Sequence, residues 1–209
     1  MTGDRALDFV LPGSWAFIPL ENPAATDTAI ARLVTRSFGR RDEDARLRAE
    51  LRSRFTASAH QARTAGASQL HLCLELVPGV PLPASLTVYW PRITLRHTRE
   101  TDPAVALRTV LGSPTTGESD DELPGSPSGP AVRRSRLITP DREDADAGPE
   151  SQAGLTTLEV DYWLATRTGR VLLLSFACGM PLLREQLTGL FDLIVQTVTW
   201  RDDPVGDAS

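Results

Sequence analysis

The chain has 209 residues, 27 of them acidic and 22 basic, for a net charge of -5. That balance argues against general nucleic-acid affinity, which needs clustered cations against phosphates. No run reaches the roughly 18 apolar residues of a membrane span. All 22 basic residues are arginine, and the only two cysteines, Cys73 and Cys178, each fall in a predicted strand, where buried, reduced thiols are expected. Chains of about this size bury roughly 70% of their unfolded surface, enough for a core without staples. The N-terminus shows no basic-then-apolar signal pattern, so a soluble cytoplasmic protein is expected.

Asp8 to Leu20 reads as an opening or edge strand, interrupted by Pro12-Gly13, because proline cannot donate to a central ladder. Ala24 to Phe38 follows as a helix with Ile30, Leu33, Val34 and Phe38 on one face and Gly39 as its stop. A second helix is expected to begin near Asp42, whose acidic run Asp42-Glu43-Asp44 suits the positive end of the helix dipole. Its apolar seam is Leu47, Leu51, Phe55, Ala59 and Ala62, and Gly66 ends it. Arg46, Arg48, Arg52 and Arg54 fan over the remainder; a solvated face with i,i+4 ion pairs is the plainer reading than an RNA-binding one.

Gln69 to Val77 alternates as a strand, with Leu70, Leu72, Leu74 and Leu76 on one face and His71, Cys73 and Glu75 on the other. Pro78, Gly79, Pro81 and Pro83 read as a rigid connection to a strand over Ser85 to Leu95, with Pro91 at a bulge or edge. A short helix fits Pro103 to Leu111. Gly112 to Pro130 has Leu123 as its one large apolar residue, so it cannot offset the entropy of ordering and is expected to be a flexible loop. Ala131 to Ile138 is a strand carrying Arg133, Arg134 and Arg136. Pro140 to Gly154 is again polar and acidic, a second loop. No internal repeat divides the chain, and residues 1–209 are expected to form one domain with flexible loops at 112–130 and 140–154.

The stretch from Leu155 to Trp200 organises the rest. Leu158, Val160, Tyr162 and Leu164 alternate with Glu159, Asp161 and Trp163, a strand with one buried face. Thr168-Gly169 supplies a tight turn. Val171 to Ala177 is nearly all apolar, as a strand covered on both faces would be. Gly179 and Pro181 then open a helix whose stripe is Leu183, Leu187, Leu190, Phe191, Ile194 and Val198.

Sequence motifs for catalysis are sparse. The three histidines, His60, His71 and His97, lie near no Ser or Cys motif. Gly125-Ser126-Pro127-Ser128-Gly129 has the spacing of a nucleophile elbow but neither the preceding strand nor the following helix. There is no CxxC, HxxxH, GxGxxG or Walker loop, so no metal site and no cofactor are expected. Glu159 and Asp161 share a strand face and could form an acid/base pair, but the wet face of an edge strand is the plainer reading. Trp163 beside them is a large aromatic on a polar face, which calls for cover by a loop, a helix or a partner. Trp163, Glu159 and Asp161 are therefore the candidate partner contacts.

The opening Phe9-Val-Leu-Pro-Gly-Ser-Trp15 resembles the F-x-L-P-x-x-W start of Mog/PsbP-like domains. The paired strands and the closing helix, through Leu190-Phe191-Asp192 and Ile194 to Trp200, resemble their C-terminal end. Together these cover about a third of the chain. The resemblance implies an α+β fold, an antiparallel sheet flanked by helices on both faces (an αβα sandwich). It implies no catalytic residues. Members of that family are mostly binding proteins, including photosystem assembly subunits, a Ran-binding factor and adaptors for secreted effectors. The expectation is a non-catalytic cytoplasmic protein-interaction module, an accessory or chaperone-like factor of a secretion system, with a protein partner and neither nucleic acid nor membrane. The alternative is a small-ligand-binding protein or enzyme with a pocket between the sheet and its helices.

Overall fold

Leu158, Val160, Tyr162 and Leu164 alternate along strand β7 (Thr157–Ala165), and all four are fully buried. The computed structural model, which describes residues 6–38, 45–77, 80–95, 102–115, 117–123, 129, 131–139, 156–166 and 169–201, builds an antiparallel sheet around that strand. Its other strands are β2 (Ser14–Ile18), β3 (Ala67–Val77), β4 (Val80–Tyr89), β5 (Ser119–Leu123), β6 (Ala131–Ile138) and β8 (Val171–Cys178). The order across the sheet is β2-β3-β4-β8-β7-β6-β5. A separate two-stranded ribbon pairs β1 (Ala6–Asp8) with β9 (Thr199–Arg201).

Helices cover both faces, as α+β and the sandwich arrangement require. On one face lies α4 (Arg184–Gln196), entered through a 3₁₀ turn at Pro181–Leu183. Leu187, Phe191, Ile194 and Val195 of α4 join Tyr162, Leu174 and Phe176 in the main core, and the Phe176 and Phe191 rings stack at 4.4 Å. The opposite face carries three helices. There α1 (Pro23–Phe38) and α2 (Ala45–Thr64) pack Ile30, Leu33, Val34, Ala59 and Ala62 against Ile18, Leu70 and Leu72. Toward the far edge, α3 (Pro103–Leu111) packs Leu107 against Val132, Ala165 and Val171. Asp102 caps α3 by accepting from the Ala104 N–H, with Pro103 in its first turn.

Four expectations are revised. The run from Asp8 to Leu20 is not one strand: β1 pairs with β9 and β2 with β3, so the chain changes sheets at Pro12-Gly13. Gly13 has φ +83°, and a Cβ there would fall 2.1 Å from the Leu76 carbonyl oxygen, so only glycine fits the crossing. Second, Pro81 and Pro83 lie inside β4. They are tolerated because β4 is bulged against β3 at that end, and its pairing with β8 starts only at Ala84. Third, Ser119–Leu123 is a paired edge strand within the segment expected to be a loop; its polar sequence suits an edge with little to bury. Fourth, the last helix ends at Gln196, and Trp200 belongs to β9, its ring 5.8 Å from that of Trp90. The expected loop at 140–154, the acidic run at 42–44, His97 and Ser126 lie outside the described residues.

Candidate functional site

Among the described residues, the two middle strands, β4 and β8, are sealed by a helix on one side only. Leu86, Val88, Leu174 and Phe176 point to the α4 side and have no exposed surface. Their neighbours Ser85, Thr87, Tyr89, Leu173, Ser175 and Ala177 point the other way and are half-buried. Helix packing on that side falls on the flanks, α1 on β2, α2 on β3, and α3 on β6 and β7. Between the α1–α2 pair and α3, the described helices leave a trough over the sheet, floored by Ser85, Thr87, Tyr89, Leu173, Ser175 and Ala177.

Register builds the outer wall of this trough. Arg136 pairs with Glu159, Arg134 with Asp161, Asp161 with Ser175, and Ser175 with Thr87. Because side chains alternate, these residues share one face of four adjacent strands. The Arg136 Nε donates to Glu159 Oε2 at 2.8 Å and its Nη1 to Glu118 Oε1 at 3.0 Å. Arg134 donates to the Gly112 carbonyl at 3.0 Å, holding the end of α3, and lies 3.8 Å from Glu118. Glu118 also accepts from the Thr115 N–H at 2.8 Å. Those hydrogen bonds hold its carboxyl down to about 2, so it is ionised.

Asp161 is the exception in this network. It is 8% exposed, and Arg136 reaches its Oδ2 only at 3.7 Å, too far for a hydrogen bond. Its cross-strand neighbour Ser175 favours the charged carboxylate, yet Oδ1 is buried with no partner among the described residues. Burial pushes the Asp161 carboxyl above its usual range, and nearby Glu159 and Glu118 push the same way. Tyr89, across the trough, is raised first by burial and then by the negative charge of Asp161 and Glu159.

The three candidate contacts are thus brought onto one face, but not as an exposed surface. β7 is an interior strand, flanked by β8 and β6, rather than the expected edge. Asp161 is buried and Glu159 is half-buried in an ion pair. Trp163 packs against the cluster of Val132, Ala165, Val171 and Leu107 that docks α3, and its Nε1 is buried without a hydrogen-bond acceptor among the described residues. The expected cover is therefore α3. Sequence reading did not connect Glu118, Arg134, Arg136, Ser175, Thr87 and Tyr89 to this place. The alternation Arg134-Ser135-Arg136 held the signal, but only the β6–β7 register shows which arginines face Glu159 and Asp161.

Arg133, just before them on β6, faces the other way and donates to Asp192 at 2.6 Å and Asp121 at 2.7 Å. The arginines of α2 behave as a solvated face where a contact is seen, Arg54 pairing with Glu50 one turn away. Among the described residues, no three His, Cys, Asp or Glu side chains are grouped to hold a metal ion, and no helix is long and apolar enough to cross a membrane. Neither a protein-family model nor a curated protein matches the sequence.

Proposed function

We propose that this chain is a non-catalytic protein-interaction module, a cytoplasmic accessory or chaperone-like factor that holds a segment of its partner in the trough over β4 and β8. The observation that carries the reading is the break in the helical layer. A sheet sealed by α4 on one side leaves Thr87, Tyr89, Leu173 and Ser175 only partly covered on the other among the described residues, between walls made by α2 and α3. From Ser85 to Tyr89 the floor runs roughly 14 Å at about 3.4 Å per residue, room for a short extended segment or a helix about 10 Å across. Tyr89 offers the kind of amphipathic aromatic anchor on which binding energy concentrates. Helices on both faces of one antiparallel sheet agree with the PsbP-like resemblance of Phe9 to Trp15, a kinship that stays part of the proposal.

Ala177→Trp tests it. Ala177 sits on the trough floor, so a large ring there fills the groove without removing a hydrogen bond. Affinity capture from the source cells, run with wild type and variant at matched melting temperature, should yield a partner that the filled trough no longer retains. The same proteins captured equally by both would place the interaction elsewhere.

A further inference from the structure

We infer that the trough recognises a positively charged group of the partner, a guanidinium or a primary ammonium, at Asp161. The inference rests on the trough reading above and names the chemistry of that site. Its first support is charge. Glu118, Glu159 and Asp161 gather around Arg134 and Arg136, three carboxylates to two guanidiniums among the described contacts. The arginines are committed elsewhere: Arg136 to Glu118 and Glu159, Arg134 to the Gly112 carbonyl. Of the three carboxylates Asp161 holds its arginine at the longest distance, 3.7 Å from Arg136, so the negative charge is least compensated there.

The second support is the carboxylate itself. Asp161 is 8% exposed on the trough-facing side of β7, its Oδ2 3.7 Å from Arg136 and its Oδ1 buried with no donor among the described residues. A buried acceptor without a donor is destabilising, more so when charged. A rotation of the carboxylate toward the trough lets an incoming N–H donor remove that cost. A cation with several N–H groups supplies both what the charge count lacks and what the hydrogen-bond count lacks. Tyr89 faces the same point from β4, and its ring adds a surface against which a guanidinium can stack. The groups facing Asp161 are Glu159 on its own strand, Arg134 and Arg136 from β6, Glu118 from the turn before β5, and Tyr89 from β4.

The test uses the full chain and two short peptides, acetyl-Ala-Arg-Ala-amide and its citrulline counterpart, which keeps the shape and loses the charge. In an NMR titration the arginine peptide should shift Ser175 and Tyr89 saturably and bind at least about tenfold tighter than the citrulline peptide, a difference of ~1.4 kcal/mol. Asp161→Asn should erase that preference. A carbon-13 titration of the Asp161 carboxyl needs no variant: its midpoint should move down with the arginine peptide and stay put with the citrulline one. Equal binding of both peptides, no saturable shift from either, or an unmoved midpoint would each overturn the inference. Should Ala177→Trp abolish partner capture while Asp161→Asn preserves it, the trough reading stands and the cation fails. Capture that ignores Ala177→Trp sinks the trough itself.

Discussion

The Tyr162 hydroxyl donates to Asp192 Oδ1 at 2.6 Å, and that bond joins the middle of the sheet to α4. The Arg133 guanidinium meets the other oxygen of the same carboxylate at 2.6 Å. Asp192 is thus held from two adjacent strands, β7 and β6. Burial, and then the Asp192 carboxylate that the hydroxyl faces, push the Tyr162 phenol far above its ordinary range, so it stays a donor at every working pH.

Removing either end of that bond should weaken the docking of α4, and by different amounts. Tyr162→Phe deletes one hydrogen bond to a charged acceptor and leaves Asp192 paired with Arg133, a loss of about 1.5–3 kcal/mol. Asp192→Ala should cost more, because it takes the acceptor from a buried hydroxyl and leaves the half-buried Arg133 guanidinium with Asp121 alone. Urea denaturation of both variants gives the order. An Asp192→Ala protein as stable as Tyr162→Phe would show that the two strands do not share the carboxylate.

The periodic parts of this fold were legible. The alternation of Leu158 to Leu164 and most of the helical stripe, Leu187, Phe191, Ile194 and Val198, depend on local spacing and are buried as spaced, whereas Leu183 of that stripe is 39% exposed in the 3₁₀ turn and Leu190 is only partly buried. What depends on long-range pairing was not. Ser119–Leu123 has the composition of a loop and becomes a strand because β6 offers it an edge. Thr199–Arg201 continues an apolar pattern but is captured by β1, nearly the whole chain away. The trough followed the same rule. Glu159, Asp161 and Trp163 were visible as an odd strand face, while their neighbours Thr87, Ser175 and Arg136 come from three other strands.

The two thiols should stay reduced and unreactive. Cys73 and Cys178 both pair with Ala84, one from each side, so the whole of β4 lies between them. Two inter-strand spacings separate their backbones by about 9.6 Å, beyond the roughly 7 Å a disulfide can bridge. Each is 1% exposed, and burial raises both thiols above their ordinary range. Alkylation without denaturant should be slow at both sites, and mild oxidation should leave the melting temperature unchanged. Rapid labelling of either would put it at the surface.

His71 should give the protein a window of acid sensitivity. Its ring lies between Phe9 and Phe17, 5.3 and 5.4 Å away, and burial holds it down from 6.5 to about 4. Between those two values the unfolded chain carries the proton and the native chain does not, so stability falls as pH drops. Above 6.5 its contribution is complete; below about 4 it is gone. Melting temperature followed from pH 7 downward should decline through this window in wild type and decline less in His71→Gln. Parallel curves would mean that the histidine titrates alike in both states.

Trp163 decides between a packing role and a contact role, and the structure gives it packing to do. Its ring fills the space between β7 and α3 beside Val132, Ala165, Val171 and Leu107. Trp163→Ala should therefore lower stability by about 3 kcal/mol, the low end for a buried aromatic because the ring is only half-buried. The loss should be local at first. Amide exchange in α3 should speed up well before that of α4, which docks on the opposite face through Phe191 and Ile194. Trp163→Phe separates ring from indole N–H. Nε1 is buried without an acceptor among the described residues, so phenylalanine gives up some contact area and also removes that donor. It should cost clearly less than alanine and leave α3 protected. An exposed binding anchor would behave otherwise: both substitutions would leave the melting temperature and α3 exchange at wild-type values. That pattern would detach α3 from Trp163 and return the residue to the partner surface.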